Sequence, residues 1–253
     1  MARFGVKDVL DVTFFNLLTG EPELFLDSLK MSNMENASEQ VYATGGKGNP
    51  RLVGWDFGRT TTFALQDALL NPKSIAMQAG TELENKKERI HKREHLMAED
   101  TGTGDVQLVL EKEPIAGTIN IYVSQDGYEH ESKVPMANVT ITGNTVEMPA
   151  TDLPIGETVL VYYQFETVND AEIITISSDK YGGFYKIVGD GLWRNERTGE
   201  DELVQFVIPK AKIISTFNIT MQPDGDPAVF DFNIDVFKDS DSTDMVKIIR
   251  YDE

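Results

Sequence analysis

The sequence has no cysteine, which excludes disulfide staples, cysteine-ligated zinc, iron–sulfur clusters and thiol nucleophiles. Histidine is scarce, at 3 in 253 residues, so general bases and nitrogen ligands for metals are in short supply. Positive charge is also in deficit: 23 Lys and Arg against 42 Asp and Glu leave a formal net charge of −19. So acidic a chain is unsuited to gripping a phosphate backbone or an anionic lipid surface, since both need clustered cations. No apolar run is long enough to span a membrane. Asp8 and Asp11 interrupt the apolar stretch near the start, so no secretory signal is expected there. The sequons at Asn36, Asn138 and Asn218 accordingly read as coincidence, and a cytoplasmic compartment is expected.

What the sequence does have is an ordinary globular share of hydrophobic residues, 40%, enough for a sizeable core. Its acidity is unevenly spread. Residues 1–100 carry 12 basic and 15 acidic side chains, residues 101–168 carry 2 and 10, and residues 169–253 carry 9 and 17. Composition shifts at the Gly-rich joint Asp100-Thr-Gly-Thr-Gly-Asp105. The chain therefore divides into three parts: 1–100, 101–168 and 169–253.

The first part opens with strands on either side of the turn Thr19-Gly-Glu-Pro22. A long loop follows over 29–52, carrying Met31, Met34, Val41 and Tyr42. Loops of this length with large apolar residues serve as binding arms more often than as connectors. After a strand over 52–59, the spacing predicts a helix over 63–70, capped by Thr60 to Thr62 and stopped by Asn71-Pro72, with a further helical turn in 73–80. Residues 81–97 fit a helix or an edge strand. The middle part is a run of five short strands that reads as a small β-sandwich or barrel, a separate module. The last part returns to strands. Its clearest feature is a predicted hairpin of 213–221 with 229–237, joined by Gln222-Pro-Asp-Gly-Asp-Pro-Ala228. Phe230, Phe232, Ile234 and Val236 share one face with Ile213, Phe217, Ile219 and Met221. Asp231, Asn233 and Asp235 share the other with Thr216, Asn218 and Thr220.

Catalytic patterns fail one by one. His91 and His95 would share a face of a helix, but Lys92, Arg93 and Glu94 between them do not make the HExxH of a zinc protease. Asp239-Ser-Asp-Ser-Thr-Asp244 lacks the Gly and Glu that a calcium loop needs at its sixth and twelfth positions. Gly45-Gly-Lys-Gly is no P-loop, and no nucleophile elbow occurs. No enzymatic activity, cofactor or metal is expected.

Four strings in the last part carry a resemblance. Phe184-Tyr-Lys-Ile-Val-Gly-Asp-Gly-Leu-Trp-Arg194 with Thr198-Gly-Glu-Asp-Glu202, then Gln205-Phe-Val-Ile-Pro-Lys-Ala-Lys212, and then Asp224-Gly-Asp-Pro-Ala-Val-Phe-Asp231 resemble the C-terminal part of tail tube proteins of long-tailed bacteriophages. Leu29-Lys-Met-Ser-Asn-Met-Glu-Asn36 and Gly54-Trp-Asp-Phe-Gly-Arg59 are similar to structural proteins of the same group. The resemblance covers 1–100 and 169–253 and leaves the middle part as an inserted β module.

The resemblance implies a mostly β fold, a β-sandwich or barrel with one flanking helix, in a virion tail assembled in the host cytoplasm. Its copies would form hexameric rings, stacked into a hollow tube through which DNA leaves the capsid without being specifically bound. Further partners would be the tape measure, terminator and distal tail proteins. Met31, Met34, Val41 and Tyr42 would then make inter-ring contacts, or else fold back onto their own domain. Thr216, Asn218, Thr220, Asp231, Asn233 and Asp235 would line the lumen or form an outer solvated face; an acidic wall suits a passing polyanion. A bulky insert would clash with a sheath, which points to a non-contractile tail. The rival readings are another tail or capsid component (terminator, baseplate adaptor or decoration protein) and a carbohydrate-binding protein using Tyr122, Tyr128, Tyr162 or Tyr163.

Overall fold

A computed structural model describes residues 3–225 and 227–251. The chain forms two compact units, one from the segments up to Leu83 and from Ile174 onward, the other from Glu84–Ile173. The first segment supplies β1 (Phe4–Gly5), β2 (Asp11–Asn16), β3 (Pro22–Leu26), β4 (Leu29–Thr44), β5 (Arg51–Asp67) and helix α1 (Pro72–Ala79). The second unit holds β6 (Glu84–Lys86), β7 (Arg89–Met97), β8 (Glu99–Asp100), β9 (Asp105–Val109) and β10 (Asn120–Val123). It continues with β11 (Ser132–Lys133), β12 (Thr140–Thr142), β13 (Thr145–Pro149), β14 (Thr158–Glu166) and β15 (Ala171–Ile173). The chain then returns to the first unit with β16 (Phe184–Asn195), β17 (Asp201–Ile213), β18 (Phe230–Val236) and β19 (Lys247–Tyr251).

The first unit is one antiparallel sheet in the order β3-β2-β16-β17-β18-β5-β4, with β1 added to β16 and β19 to β17. The sheet divides along β17, which pairs with β19 over Leu203–Val207 and with β18 over Ala211–Ile213. It then folds over on itself: Phe14 of β2 and Phe232 of β18 lie 6.0 Å apart although two strands separate theirs. Between the layers sit Val12, Phe14, Leu65, Ile208, Phe232 and Ile234, with Ile75 and Met77 of α1 closing the core. The result is the expected mostly β unit with one helix, and its sheet does not close into a barrel.

The helix lies where the pattern places a further helical turn, in 73–80, and not over 63–70. Residues 63–67 belong to β5, where Phe63, Leu65 and Asp67 are buried and Ala64 and Gln66 are half-buried, the period of two that a strand imposes. Asn71-Pro72 starts the helix rather than stopping one. The Asn71 side chain accepts a hydrogen bond from the Lys73 amide, and Pro72 occupies the first turn, where its missing N–H costs nothing. Gly80 ends the helix in the left-handed region at φ +71°, with its own amide and that of Thr81 bonded to the Met77 and Ala76 carbonyls. A Cβ there would collide with the Tyr181 carbonyl, so glycine is required twice over.

Residues 29–52 are likewise not a loop. Most of them form β4, which pairs with β5 along nearly its whole length. The predicted hairpin of 213–221 with 229–237 is also absent. Only Ala211, Lys212 and Ile213 pair with β18, whose other edge is taken by β5. Residues 214–225 and 227–229 run without strand structure, so Ile219 and Met221 are exposed, whereas Phe217 packs on Phe230 at 5.9 Å. In β18 itself Phe230, Phe232, Ile234 and Val236 are buried, as the alternation requires.

The second unit is a two-sheet sandwich. One sheet runs β11-β10-β14-β7 and the other β12-β13-β9-β8. Val106, Leu108, Ile121, Val146, Val159 and Val161 fill the space between them. Its first and last strands, β6 and β15, pair antiparallel from Glu84↔Ile173 to Lys86↔Ala171, so the chain enters and leaves the unit side by side. The sequence pattern starts this module at 101. The compact unit starts at Glu84 because β7 pairs with β14 over nine successive positions.

Candidate functional site

Beyond Thr61 the β4–β5 hairpin leaves the body of its unit. From Asn33 to Val41 and from Arg51 to Thr60 every residue is exposed. At about 3.3 Å per residue, the part from Ala37 to the turn at 45–50 extends roughly 25 Å. The turn is made by Gly45 to Pro50, whose ends are joined by a Gly45 N–H to Pro50 carbonyl bond of 3.2 Å. A two-stranded ribbon with water on both faces is marginally stable by itself, and β4 leaves its outer edge unpaired along 16 residues.

One face of this arm is apolar. Register pairs Val41 with Trp55, Ala43 with Val53 and Glu39 with Phe57, which puts all six side chains on one side. Val41, Val53, Trp55 and Phe57 are exposed by 51%, 51%, 54% and 51%. The opposite face holds Gln40, Tyr42, Gly54 and Asp56, with the Tyr42 ring lying over Gly54 and the Arg51 guanidinium 4.0 Å from the ring centre. Trp55, Phe57 and Val53 were not singled out by the sequence pattern, although Trp and Phe two apart in a strand are a legible sign of an apolar face.

The four residues named for inter-ring contact are not brought together. Val41 lies in the apolar stripe and Tyr42 on the reverse face. Met34 pairs with Phe63 on the core side and lines a groove of about 400 Å³ with Thr61, Met245 and Ile248, while Met31 pairs with Gln66 on the outer side.

The residues named for the lumen separate into two groups. Asp231, Asn233 and Asp235 share the outer face of β18 beside Gln66, Ala64 and Thr62 of β5. Asp235 also stands opposite Lys212, so this face is mixed in charge rather than purely acidic. Asp231 is half-buried: its backbone carbonyl accepts a 3.0 Å hydrogen bond from Gln78 Nε2, and its Oδ1 is buried without a partner. Thr216, Asn218 and Thr220 are exposed in 214–229 and pair with no strand; Asn218 Nδ2 donates to Thr220 Oγ1 at 3.2 Å.

In the second unit His91 and His95 lie on strand β7, not on a helix, roughly 13 Å apart at strand rise, too far to share a metal ion. Of the tyrosines weighed for sugar binding, Tyr163 is a core residue. Its hydroxyl donates to Glu94 Oε1 at 2.5 Å and accepts from the Lys112 amide at 3.2 Å, and burial, then the bond to Glu94, push its pKa far above the ordinary phenol value. Tyr122 and Tyr162 lie on the outer face of the same sheet, and Tyr128 is exposed in the following loop.

Compared with known proteins, the chain finds no match among curated ones. A family model does match, from residue 4 to residue 250, and so spans both units. The strings that resemble tail tube proteins and the mostly β unit agree with that match: the chain belongs to the YomU/Tube protein family.

Proposed function

We propose that the chain is a tail tube subunit whose copies close into hexameric rings, and that the rings stack into the conduit through which DNA leaves a virion. The observation that carries this reading is the arm: a ribbon of roughly 25 Å, wet on both faces, with an apolar stripe that its own chain does not cover. A neighbouring ring supplies the missing cover for Val41, Val53, Trp55 and Phe57, and a neighbour within the ring supplies partners for the open edge of β4. Tube membership in the family supports the same reading. The net charge of −19 suits a conduit, because a wall that repels phosphates keeps a passing polyanion mobile. The Asp231, Asn233 and Asp235 face is our candidate for that wall, with Thr216, Asn218 and Thr220 at its margin. Assembly takes place in the host cytoplasm, with terminator, tape measure and distal tail proteins as further partners.

Negative-stain electron microscopy of the purified protein across a concentration series tests the proposal. Hollow rings and tubes are expected, with a subunit count of six per ring in averaged end views. Compact monomers at every concentration, with or without a crowding agent, would overturn it.

A further inference from the structure

The outer face of the β11-β10-β14-β7 sheet stands apart from the rest of its unit in charge. Residues 84–173 hold 7 basic and 17 acidic side chains. Yet β7 alternates so that Arg89, His91, Arg93 and His95 are exposed while Lys92, Glu94 and Leu96 turn toward the interior. Register sets Arg93 beside Tyr162 and Asn120, and His95 in a row with Leu160, Tyr122 and Lys133. His130 completes the surface, so all 3 histidines of the chain lie on it. By register the face holds one carboxylate, Glu166 opposite Arg89; Glu129 and Glu131 flank His130 in the adjoining loop.

Arg93 and Lys133 are held by neutral groups. Arg93 donates through Nε to the Tyr162 hydroxyl at 3.2 Å and through its guanidinium to the Gly127 carbonyl, and Lys133 donates to Asn120 Oδ1 at 2.9 Å. Their charges are oriented but not cancelled. A groove of about 590 Å³ opens beside Arg93, lined by His91, Lys92, Asn120, Tyr162, Tyr163 and Gln164.

The rings are already occupied with one another. His130 stacks on Tyr122 at 4.4 Å and 18°, and Tyr162 stands edge-on to both, its hydroxyl 3.0 Å from His130 Nε2. On the sheet itself this leaves little flat aromatic surface for stacking a neutral sugar or a nucleobase, the interaction on which single-stranded nucleic acid binding depends; the exposed Tyr128 stands in the adjoining loop. What the face offers is positive charge at Arg89 and Arg93, about 13 Å apart along β7 with His91 between them, and at Lys133 on β11. That pattern fits a polymer with regularly spaced anions. The repulsion of the acidic remainder is screened beyond about 8 Å at physiological salt.

We propose that this face binds an acidic polysaccharide through its carboxylate or phosphate groups, with Arg89, Arg93 and Lys133 as the charged contacts. The inference does not depend on tube assembly, since it concerns single chains. Its test is biolayer interferometry of the full chain, at low and physiological salt, on immobilised polygalacturonate, poly(glycerol phosphate), neutral dextran and a thymidine oligonucleotide. Binding to one or both acidic glycans is expected, with none to dextran; the arm that binds identifies the anion. R89Q/R93Q/K133Q should weaken binding at least tenfold. K180Q/K238Q/K247Q, which removes as many exposed charges from the other unit, should leave it within twofold. Equal losses in the two triple variants, equal or stronger binding to the oligonucleotide, or no binding to either acidic glycan would each overturn the proposal.

Discussion

Trp55→Ala isolates the arm from the rest of the fold. The side chain is 54% exposed, and a tryptophan offers roughly 200–250 Å² for burial, so about 110–130 Å² awaits cover by a neighbour. At about 25 cal/mol/Å² this area contributes about 3 kcal/mol per arm, or about a hundredfold in the association constant. The free chain should scarcely notice the change, because substitutions at exposed positions shift stability by less than about 0.5 kcal/mol. Light scattering against concentration reads the assembly threshold, and thermal unfolding of dilute monomer reads stability. Fluorescence adds a local signal. The chain has 2 tryptophans, and Trp193 already packs near Phe4 and Phe206 at 6.1 and 6.4 Å. In a Trp193→Phe background, emission from Trp55 alone should move to the blue as subunits assemble. A threshold unmoved by W55A would refute the reasoning, and so would a monomer destabilised by as much as the burial figure, since the contact would then lie within the chain.

Four further outcomes are expected. Gly80→Ala combines left-handed strain of about 1–2 kcal/mol with a collision against the Tyr181 backbone, so the first unit should melt several degrees lower; an unchanged melt would contradict the cap geometry. Tyr163→Phe removes a hydrogen bond to a charged partner and should cost the second unit about 2 kcal/mol in urea unfolding, where a neutral effect would count against the Tyr163–Glu94 bond. The raised Tyr163 pKa leaves stability intact below the ordinary phenol value of 10.0 and erodes it as pH rises past that point, so alkaline unfolding of this unit should be blunted in Y163F; an identical alkaline limb would show that Tyr163 is not the responsible group. Replacing residues 84–173 by a short Gly turn should leave a cooperatively folding first unit, because Glu84 and Ile173 are paired neighbours and the cut ends already meet; loss of the cooperative transition would show that the unit needs its insert.

Where one face of an element is buried and the other wet, the sequence was readable. Phe230, Phe232, Ile234 and Val236 alternate with Asp231, Asn233 and Asp235, and β18 is built that way. The pattern reads 63–70 as helix because Phe63-Ala-Leu-Gln-Asp-Ala-Leu-Leu70 satisfies spacings of two and of three to four alike. Asn71-Pro72 serves equally as a stop or as a cap with proline in the first turn, and the run of Thr60 to Thr62, β-branched throughout, tips the balance toward strand only once β18 lies alongside. β4 was illegible for a different reason. A strand exposed on both faces carries no alternation, and Glu35-Asn-Ala-Ser-Glu-Gln40 reads as loop until β5 supplies its partner. The lumen candidates do not form one ribbon because the pairing of β17 with β18 stops at Ile213, and Thr216, Asn218 and Thr220 leave the edge that the predicted hairpin would fill, while β5 takes the opposite edge.

Gly58 decides which way the apolar stripe of the arm faces. β5 carries one extra residue between Phe57, opposite Glu39, and Thr60, opposite Ala37, with Gly58 at φ +60°. In an unbroken strand the odd positions would all point one way, and Val53, Trp55 and Phe57 would lie on the same side as Thr61, Phe63 and Leu65, as a continuation of the core. The bulge reverses that side. The stripe instead continues the outer face, in line with Thr60, Thr62 and Ala64 beside Asn233 and Asp235. An apolar surface placed there is out of reach of the core of its own unit, and one extra residue beside a glycine turns what would be a continuation of that core into an exposed stripe.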